Sequence, residues 1–147
     1  MTVAFDQSVN SVKEKRRMSL KVATVSVLVD EYDRAIAFYR DVLGLELIAD
    51  TPLGGGKRWV LVAPKGGKGA RLLLAMADGP EQSARVGDQL GGRVGFFLET
   101  DDFARDHASF AEKGVRFLEP PRHEAYGSVA VFEDLYGNKW DLIEPKG

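Results

Sequence analysis

Apolar residues along this chain fall into short runs that are bounded by glycine, proline or acidic residues. Runs of this length, rich in valine, leucine and phenylalanine, are typical of strands that are buried on at least one face. The strands predicted on this basis cover residues 21–29, 45–50, 58–63, 71–76, 93–100, 115–118, 128–133 and 139–144.

Two other stretches, residues 31–43 and 102–113, have apolar residues three and four positions apart, which is the spacing of one helix face. Glycine follows each stretch, at Gly44 and Gly114, and a helix end commonly adopts a left-handed conformation that suits glycine. Two helices are therefore predicted. The residues in phase on their apolar faces are Tyr32, Ala35, Ile36, Tyr39, Val42, Leu43, Phe103, His107, Phe110 and Ala111.

The order strand, helix and three further strands occurs twice along the chain. The distance from the first strand to the glycine after the helix is 19 residues from Val25 to Gly44 and 20 residues from Val94 to Gly114. One such unit of roughly 50 residues buries too little apolar surface to be stable alone. We therefore predict an α+β fold in which two β-α-β-β-β modules pair into curved mixed sheets around a cavity. The modules are predicted over residues 21–76 and 93–147, joined by a polar linker over residues 77–92 within one domain over residues 21–147.

The composition excludes several classes of function. The 147 residues include no cysteine, which rules out disulfides, iron–sulfur clusters, cysteine-ligated zinc and thiol catalysis. The formal charge of −2 argues against nucleic-acid binding, and no apolar stretch is long enough to span a membrane. A cytoplasmic protein is therefore expected. Residues 1–20 form a basic extension that we expect to be poorly ordered.

The charges are unevenly distributed, since residues 51–77 contain five basic residues and no acidic residue. A guanidinium group suits carboxylate or phosphate, so Arg58 is a candidate for binding an anionic ligand. The alternative is that these basic side chains are solvated on the outer face of the sheet. Aromatic candidates for the lining of a pocket are Trp59, Phe97 and Tyr126. Because neighbouring residues of a strand point to opposite faces, Arg58 and Trp59 cannot both face the cavity.

Four short segments carry more specific motifs. They are Val-Asp-Glu-Tyr at 29–32, Leu-Gly-Leu at 43–45, Val-Gly-Phe-Phe at 94–97 and Asp-Leu-Tyr-Gly-Asn-Lys-Trp-Asp-Leu at 134–142. Together they resemble the vicinal oxygen chelate superfamily, which includes glyoxalase I, bleomycin-resistance proteins, fosfomycin-resistance enzymes and extradiol dioxygenases. The resemblance implies a small-molecule ligand in a cavity that is often formed across a dimer interface, so a homodimer is expected.

Members of this superfamily that use a metal hold one divalent ion with four inward-facing residues. The resemblance places these positions at Thr24, Ala75, Gly95 and Asp141. Among the four, Asp141 alone has a side chain that commonly ligates a metal, whereas a catalytic ion usually needs three protein ligands. The resemblance therefore implies a site without a bound metal or other cofactor.

Three functions stay open. The first, which we favour, is a metal-free protein that binds a small, partly apolar molecule, with an anionic group as a further expectation. The second is a divalent-metal-dependent lyase, isomerase or dioxygenase that uses Asp141 with further ligands that the sequence does not identify; strand geometry leaves open a relocated site of Glu99, His123 and Asp141. The third is a dimeric interaction module without small-molecule chemistry. The predicted ligand-binding residues are Thr24, Arg58, Trp59, Phe97, Tyr126 and Asp141.

Overall fold

Two β-sheets, one from each half of the chain, form the framework of the computed structural model, which describes residues 19–147. Residues 1–18 of the predicted basic extension lie outside the described part. The strands are β1 Thr24–Val29, β2 Glu46–Gly54, β3 Lys57–Ala63, β4 Arg71–Met76, β5 Val94–Glu99, β6 Arg116–Phe117, β7 Arg122–Glu124, β8 Gly127–Glu133 and β9 Lys139–Pro145. The helices are α1 Tyr32–Ile36, which continues as a π-helix over Ala37–Val42, α2 Gly79–Arg85 and α3 Phe103–Glu112. Within residues 19–147, none of the helices has both the length and the hydropathy needed to cross a membrane.

The strand order is the same in both sheets. The first sheet runs β1-β4-β3-β2, with β1 parallel to β4 and the other pairs antiparallel. The second runs β5-β9-β8, with β5 parallel to β9 and with both β6 and β7 paired to the far side of β8. This matched topology confirms the predicted α+β fold of two β-α-β-β-β modules with mixed sheets.

One apolar core joins the two modules, and it lies between the faces of the sheets that carry the helices. Tyr39 of the first helical segment reaches the second module, where its ring lies 6.1 Å from that of Trp140. Phe110 of α3 packs edge-on against Phe132 of β8 at 5.4 Å. All four side chains are buried. The modules of one chain therefore meet through their helix-bearing faces, and each sheet keeps an opposite, helix-free face.

The first predicted helix changes geometry halfway along its length. Glu31 caps its start by accepting a hydrogen bond from the backbone N–H of Arg34 at 2.8 Å. Further along, the N–H of Leu43 donates to the carbonyl of Phe38, five residues back, at 3.1 Å, which is the spacing of a π-helix. The spacing of apolar residues over one or two turns does not separate this geometry from an ordinary α-helix.

Two elements, α2 and β7, were not predicted from the sequence. Helix α2 lies inside the predicted linker, and none of its residues is buried, so it has no apolar periodicity to detect. Strand β7 has three polar residues and pairs with the edge of β8. His123 therefore lies in a strand, in a region where the sequence predicts none, because the pairing with β8 gives this segment its extended geometry.

Candidate ligand-binding site

Asp141 lies in the middle of the helix-free face of the second sheet. It pairs directly with Phe97 on one side and with Val131 on the other, and residues directly opposite each other on paired strands share a face. The preceding residues on the same strands, Phe96 and Trp140, point to the core, where their rings stack at 4.7 Å. Phe97 is 63% exposed. The row from Phe97 to Val131 thus places an accessible ring beside a carboxylate.

The carboxylate of Asp141 is incompletely satisfied. Its Oδ1 atom is buried and has no hydrogen-bond partner among residues 19–147. Burial raises the pKa of Asp141 above its usual range; the nearby Arg122 opposes this shift and Glu119 adds to it. A buried acceptor without a partner costs free energy. The residue as a whole is only half-buried, so its carboxylate is a polar group on this face that a donor on a bound molecule could reach.

Arg122 is a charged residue close to this face, and its guanidinium group already has hydrogen-bond partners within the chain. Its Nε donates to both carboxylate oxygens of Glu119 at 2.8 Å, and one terminal nitrogen lies 3.4 Å from Glu124 and 3.5 Å from the hydroxyl of Tyr126. Tyr126 is 56% exposed. Tyr126 and Asp141 therefore both lie near the guanidinium group of Arg122, and the ring of Tyr126 stays accessible.

Thr24 and Trp59 lie in the other sheet. Trp59 pairs with Thr51 and is 42% exposed, whereas its neighbour Val60 is fully buried in the core. Trp59 therefore lies on the helix-free face of the first sheet. Thr24 is exposed at the start of β1. The predicted ligand-binding residues are accordingly divided between the two sheets.

Arg58 lies on the helix-bearing face, opposite to Trp59. Its guanidinium donates to Asp50 at 3.0 and 2.7 Å and to Asp33 at 2.9 Å, and it lies 5.1 Å from the centre of the Tyr32 ring. Its hydrogen bonds to Asp50 and Asp33 raise the pKa of Arg58. The guanidinium group of Arg58 is therefore already bound by carboxylates of its own chain. Sequence reasoning missed these partners because tertiary folding brings them together.

The residues at the positions implied for a metal do not fit the metal centre of the superfamily. Thr24 and Ala75 bring no carboxylate or imidazole. At Gly95 a Cβ atom would lie 1.9 Å from Cδ1 of Leu90, so the space for a side chain is taken. Only Asp141 remains. These four positions therefore do not supply the three protein ligands that a catalytic ion usually needs.

The relocated metal site is not assembled either. No group of three or more histidine, aspartate or glutamate residues in the described range could hold an ion. His123 contacts the hydroxyl of Ser128 through Nδ1 at 2.9 Å. Ser128 pairs with Glu144, one position out of phase with Asp141 and Ile143. His123 thus lies on the face opposite to Asp141 and Glu99, because strand β7 fixes the direction of its side chain.

A cleft of about 470 Å³ lies between the two modules, where the sequence predicted a cavity but not the residues of its walls. Its walls include Val25 and Leu72 of the first sheet and Phe96 and Phe97 of the second, with Lys68 at the β3–β4 hairpin. This volume is in the range of roughly 300–1,000 Å³ that small-molecule sites occupy. Phe97 belongs both to this cleft and to the row that contains Asp141. The walls come from distant segments, so no local motif marks the cleft.

Residues 21–142 match the family model described as the Glyoxalase/Bleomycin resistance protein/Dioxygenase superfamily. The match extends over both modules and over the row that contains Asp141. The chain therefore belongs to this superfamily, which confirms the resemblance that its motifs indicate.

Similar proteins come from several bacteria. An uncharacterized protein of Shewanella frigidimarina is 48% identical over 128 residues, which cover 86% of this chain and 95% of that protein. Among solved structures, UcmS2 is 29% identical with a TM-score of 0.74 and covers 86% of this chain and 98% of its own. TnmS3, an antibiotic binding protein from Streptomyces sp. CB03234, is 33% identical with a TM-score of 0.69, covering 88% and 98%.

Proposed function

We propose that this protein binds a small, partly apolar molecule on the helix-free face of the second sheet, with Asp141 as the polar anchor and without a metal ion. The observation that carries this proposal is the half-buried carboxylate of Asp141, which is incompletely satisfied within its own chain, beside the exposed ring of Phe97. A further support is the similarity to TnmS3, which is described as an antibiotic binding protein.

The chemistry of the face indicates what the ligand offers. Asp141 accepts a hydrogen bond from a hydroxyl, amide or ammonium group, and Phe97 provides an aromatic surface for a ring. The predicted anionic group of the ligand would have to meet Lys68 at the cleft rather than Arg58, because Asp33 and Asp50 already bind the guanidinium of Arg58. The ligand is therefore an aromatic or alicyclic molecule with a hydrogen-bond donor at one edge.

Replacing Asp141 by asparagine should weaken ligand binding by roughly tenfold or more, because a hydrogen bond to a charged group contributes ~1.5–3 kcal/mol. Asparagine keeps the shape of the side chain and removes its charge. Binding is measured by ligand-observed NMR with a library of aromatic amines and phenols, which combine a ring with a donor. We expect library members to bind the wild-type protein with unchanged affinity in EDTA.

The matched control is Glu112→Gln, which removes an exposed charge from α3. Compounds that bind wild type and Asp141→Asn equally would contradict the anchoring role of Asp141, and a library without any binder would contradict the proposal itself. Loss of binding in EDTA would support the metal-dependent alternative.

We further propose that the site is completed by the first sheet of a second copy, in the predicted homodimer. The helix-bearing faces of both modules are buried in the shared core of one chain. Trp59 therefore stays on the outward face of the first sheet, and Phe97 and Asp141 stay on the outward face of the second sheet. Trp59 and Phe97 are large exposed aromatic side chains on these two helix-free faces. Pairing the first sheet of one copy with the second sheet of another would cover both.

This arrangement predicts complementation between two defective chains. Trp59→Ala and Asp141→Asn should each weaken binding of the best NMR ligand. When the two variants are refolded together, half of the dimers are mixed and one of their two sites has both native residues, so about a quarter of the sites should regain native affinity. Recovery is measured by titration of the mixture. No recovery, or a monomeric mass in light scattering, would contradict the shared site.

A further inference from the structure

Strand β1 forms one edge of the first sheet, with β4 on its other side. Its sequence, Thr-Val-Ser-Val-Leu-Val, contains no charge, no proline and no glycine and is rich in β-branched residues. An uncharged edge strand of this composition is a template for pairing with another chain. Such an edge needs protection in a protein that stays in solution.

The other edge of the same sheet, β2, carries its own protection. It contains Glu46, Asp50 and Pro52, and its pairing with β3 is interrupted by two register shifts. Charges, proline and bulges on an edge all oppose strand addition. Strand β1 has none of these features, so its protection must come from another part of the chain.

The side chain of Gln89 covers the free edge of β1. Its Oε1 accepts a hydrogen bond from the backbone N–H of Leu28 at 3.0 Å, and its Nε2 donates to the backbone carbonyl of Ser26 at 2.8 Å. Ala23 and Val29 use their carbonyls on the β4 side, so the peptide groups of Ser26 and Leu28 point outward. One side-chain amide thus takes the place that a peptide group of a neighbouring strand would occupy.

The segment around Gln89 is held in place on both sides. At Gly87 a Cβ atom would lie 1.9 Å from the backbone carbonyl oxygen of Tyr136, so the linker is in close contact with the turn before β9. Leu90 packs over Gly95 at the start of β5. Gln89 therefore projects from a segment that is wedged between the edge strands of the two sheets.

We propose that Gln89 is an edge plug that closes an interaction surface on β1, and that this surface, once uncovered, pairs with β1 of a second copy. The partner is a second copy because the uncharged strand can pair with itself: in an antiparallel pair centred on Ser26, each Ser26 faces the other and Val25 faces Val27. Neither Gln89 nor Ser26 belongs to the proposed ligand site, so this inference is independent of it.

The test is Gln89→Leu, which keeps the approximate size of the side chain and removes both hydrogen bonds. We expect the amide of Leu28 to exchange with deuterium up to about tenfold faster in dilute solution, because one hydrogen bond contributes ~0.5–1.5 kcal/mol. At higher concentration, sedimentation velocity should show reversible association beyond the wild-type state. The matched control is Gln82→Leu. Gln82 is also a glutamine of the linker, and its side chain accepts a hydrogen bond from the backbone N–H of Asp78.

A second variant identifies the surface that associates. Ser26→Lys in the Gln89→Leu background places a charge on the edge strand and should abolish the association. The proposal is overturned if Gln89→Leu associates no more than Gln82→Leu, or if Ser26→Lys leaves the association unchanged. It is also overturned if Gln89→Leu dissociates the wild-type assembly, since Gln89 would then be part of that interface. If Gln89→Leu fails to fold, Gln89→Glu takes its place in the comparison with Gln82→Leu. Glutamate keeps the acceptor for the N–H of Leu28 and loses the donor to the carbonyl of Ser26.

Discussion

Replacing Asp134 by alanine should lower the melting temperature by roughly 10–15 °C, the equivalent of ~3–5 kcal/mol at this chain length. Asp134 is only 6% exposed, and its carboxylate is the shared acceptor of one buried hydrogen-bond network. Alanine removes every acceptor of that network at once. The change is measured by calorimetry or by circular dichroism on heating.

The size of this effect follows from the donors that Asp134 satisfies. Its Oδ2 accepts from the hydroxyl of Tyr39 at 2.6 Å, from Nε1 of Trp140 at 3.0 Å and from Nδ2 of Asn138 at 3.0 Å. Its Oδ1 accepts from the backbone N–H groups of Tyr136 and Asn138, both at 3.0 Å. Burial, and then the charge of Asp134, hold the pKa of Tyr39 well above its usual range, so Tyr39 stays a donor. Loss of the acceptor leaves these donors buried without a partner.

Two variants separate the contributions to this effect. Tyr39→Phe removes only the hydrogen bond through which this network reaches the first module, and it should cost ~1.5–3 kcal/mol, since the acceptor is charged. Asp41→Ala removes an exposed carboxylate whose partner is its neighbour Arg40, and a surface change of this kind should stay within about 0.5 kcal/mol. If Asp134→Ala destabilises the protein no more than Asp41→Ala, the network does not hold the modules together.

Gly87→Ala should destabilise the protein by about 3 kcal/mol or more. Gly87 has a φ of +79° and no room for a Cβ atom, which would lie 1.9 Å from the carbonyl oxygen of Tyr136 and 2.9 Å from its carbonyl carbon. The left-handed conformation costs a residue with a side chain ~1–2 kcal/mol, and moving the backbone of Tyr136 adds a further ~1–3 kcal/mol. Urea denaturation measures the difference.

Gly91→Ala is the matched control for this prediction. Gly91 lies in the same linker with a φ of +67°, but no atom lies within 4 Å of its Cβ position. Gly91→Ala should therefore lower the free energy of unfolding only by the cost of the left-handed conformation, ~1–2 kcal/mol. Equal losses in the two variants would show that the linker is not held against the turn at Tyr136, and would also remove one of the two supports for the position of Gln89.

Much of the secondary structure was predictable because its signals are local. The β4 strand, Arg71–Met76, has the predicted bounds, and α3 begins after Asp102. The side chain of Asp102 caps this helix by accepting a hydrogen bond from the backbone N–H of Arg105. Alternation along strands and the three-to-four spacing in helices record which face is buried. Elements without a buried face, such as α2, have no apolar periodicity in the sequence that would predict them.

The candidate site was predictable only in part. Asp141 was predicted as a candidate from its place in a motif, and strand parity separated Arg58 from Trp59. Neither the motif nor parity shows that Oδ1 of Asp141 is buried and unpartnered, since that depends on what packs over it. The occupation of Arg58 by Asp33 and Asp50 likewise arises from helix and strand packing.

The sequence by itself determined the repeated β-α-β-β-β order, the phase of each strand and membership of the superfamily, because these depend on residue order and local periodicity. Tertiary structure alone decided that the modules of one chain meet through their helix-bearing faces, that Leu90 fills the space beside Gly95, and that Gln89 covers the edge of β1. Each of these depends on contacts between residues that are close in space, and the free energy of such contacts is set by geometry that no local pattern encodes.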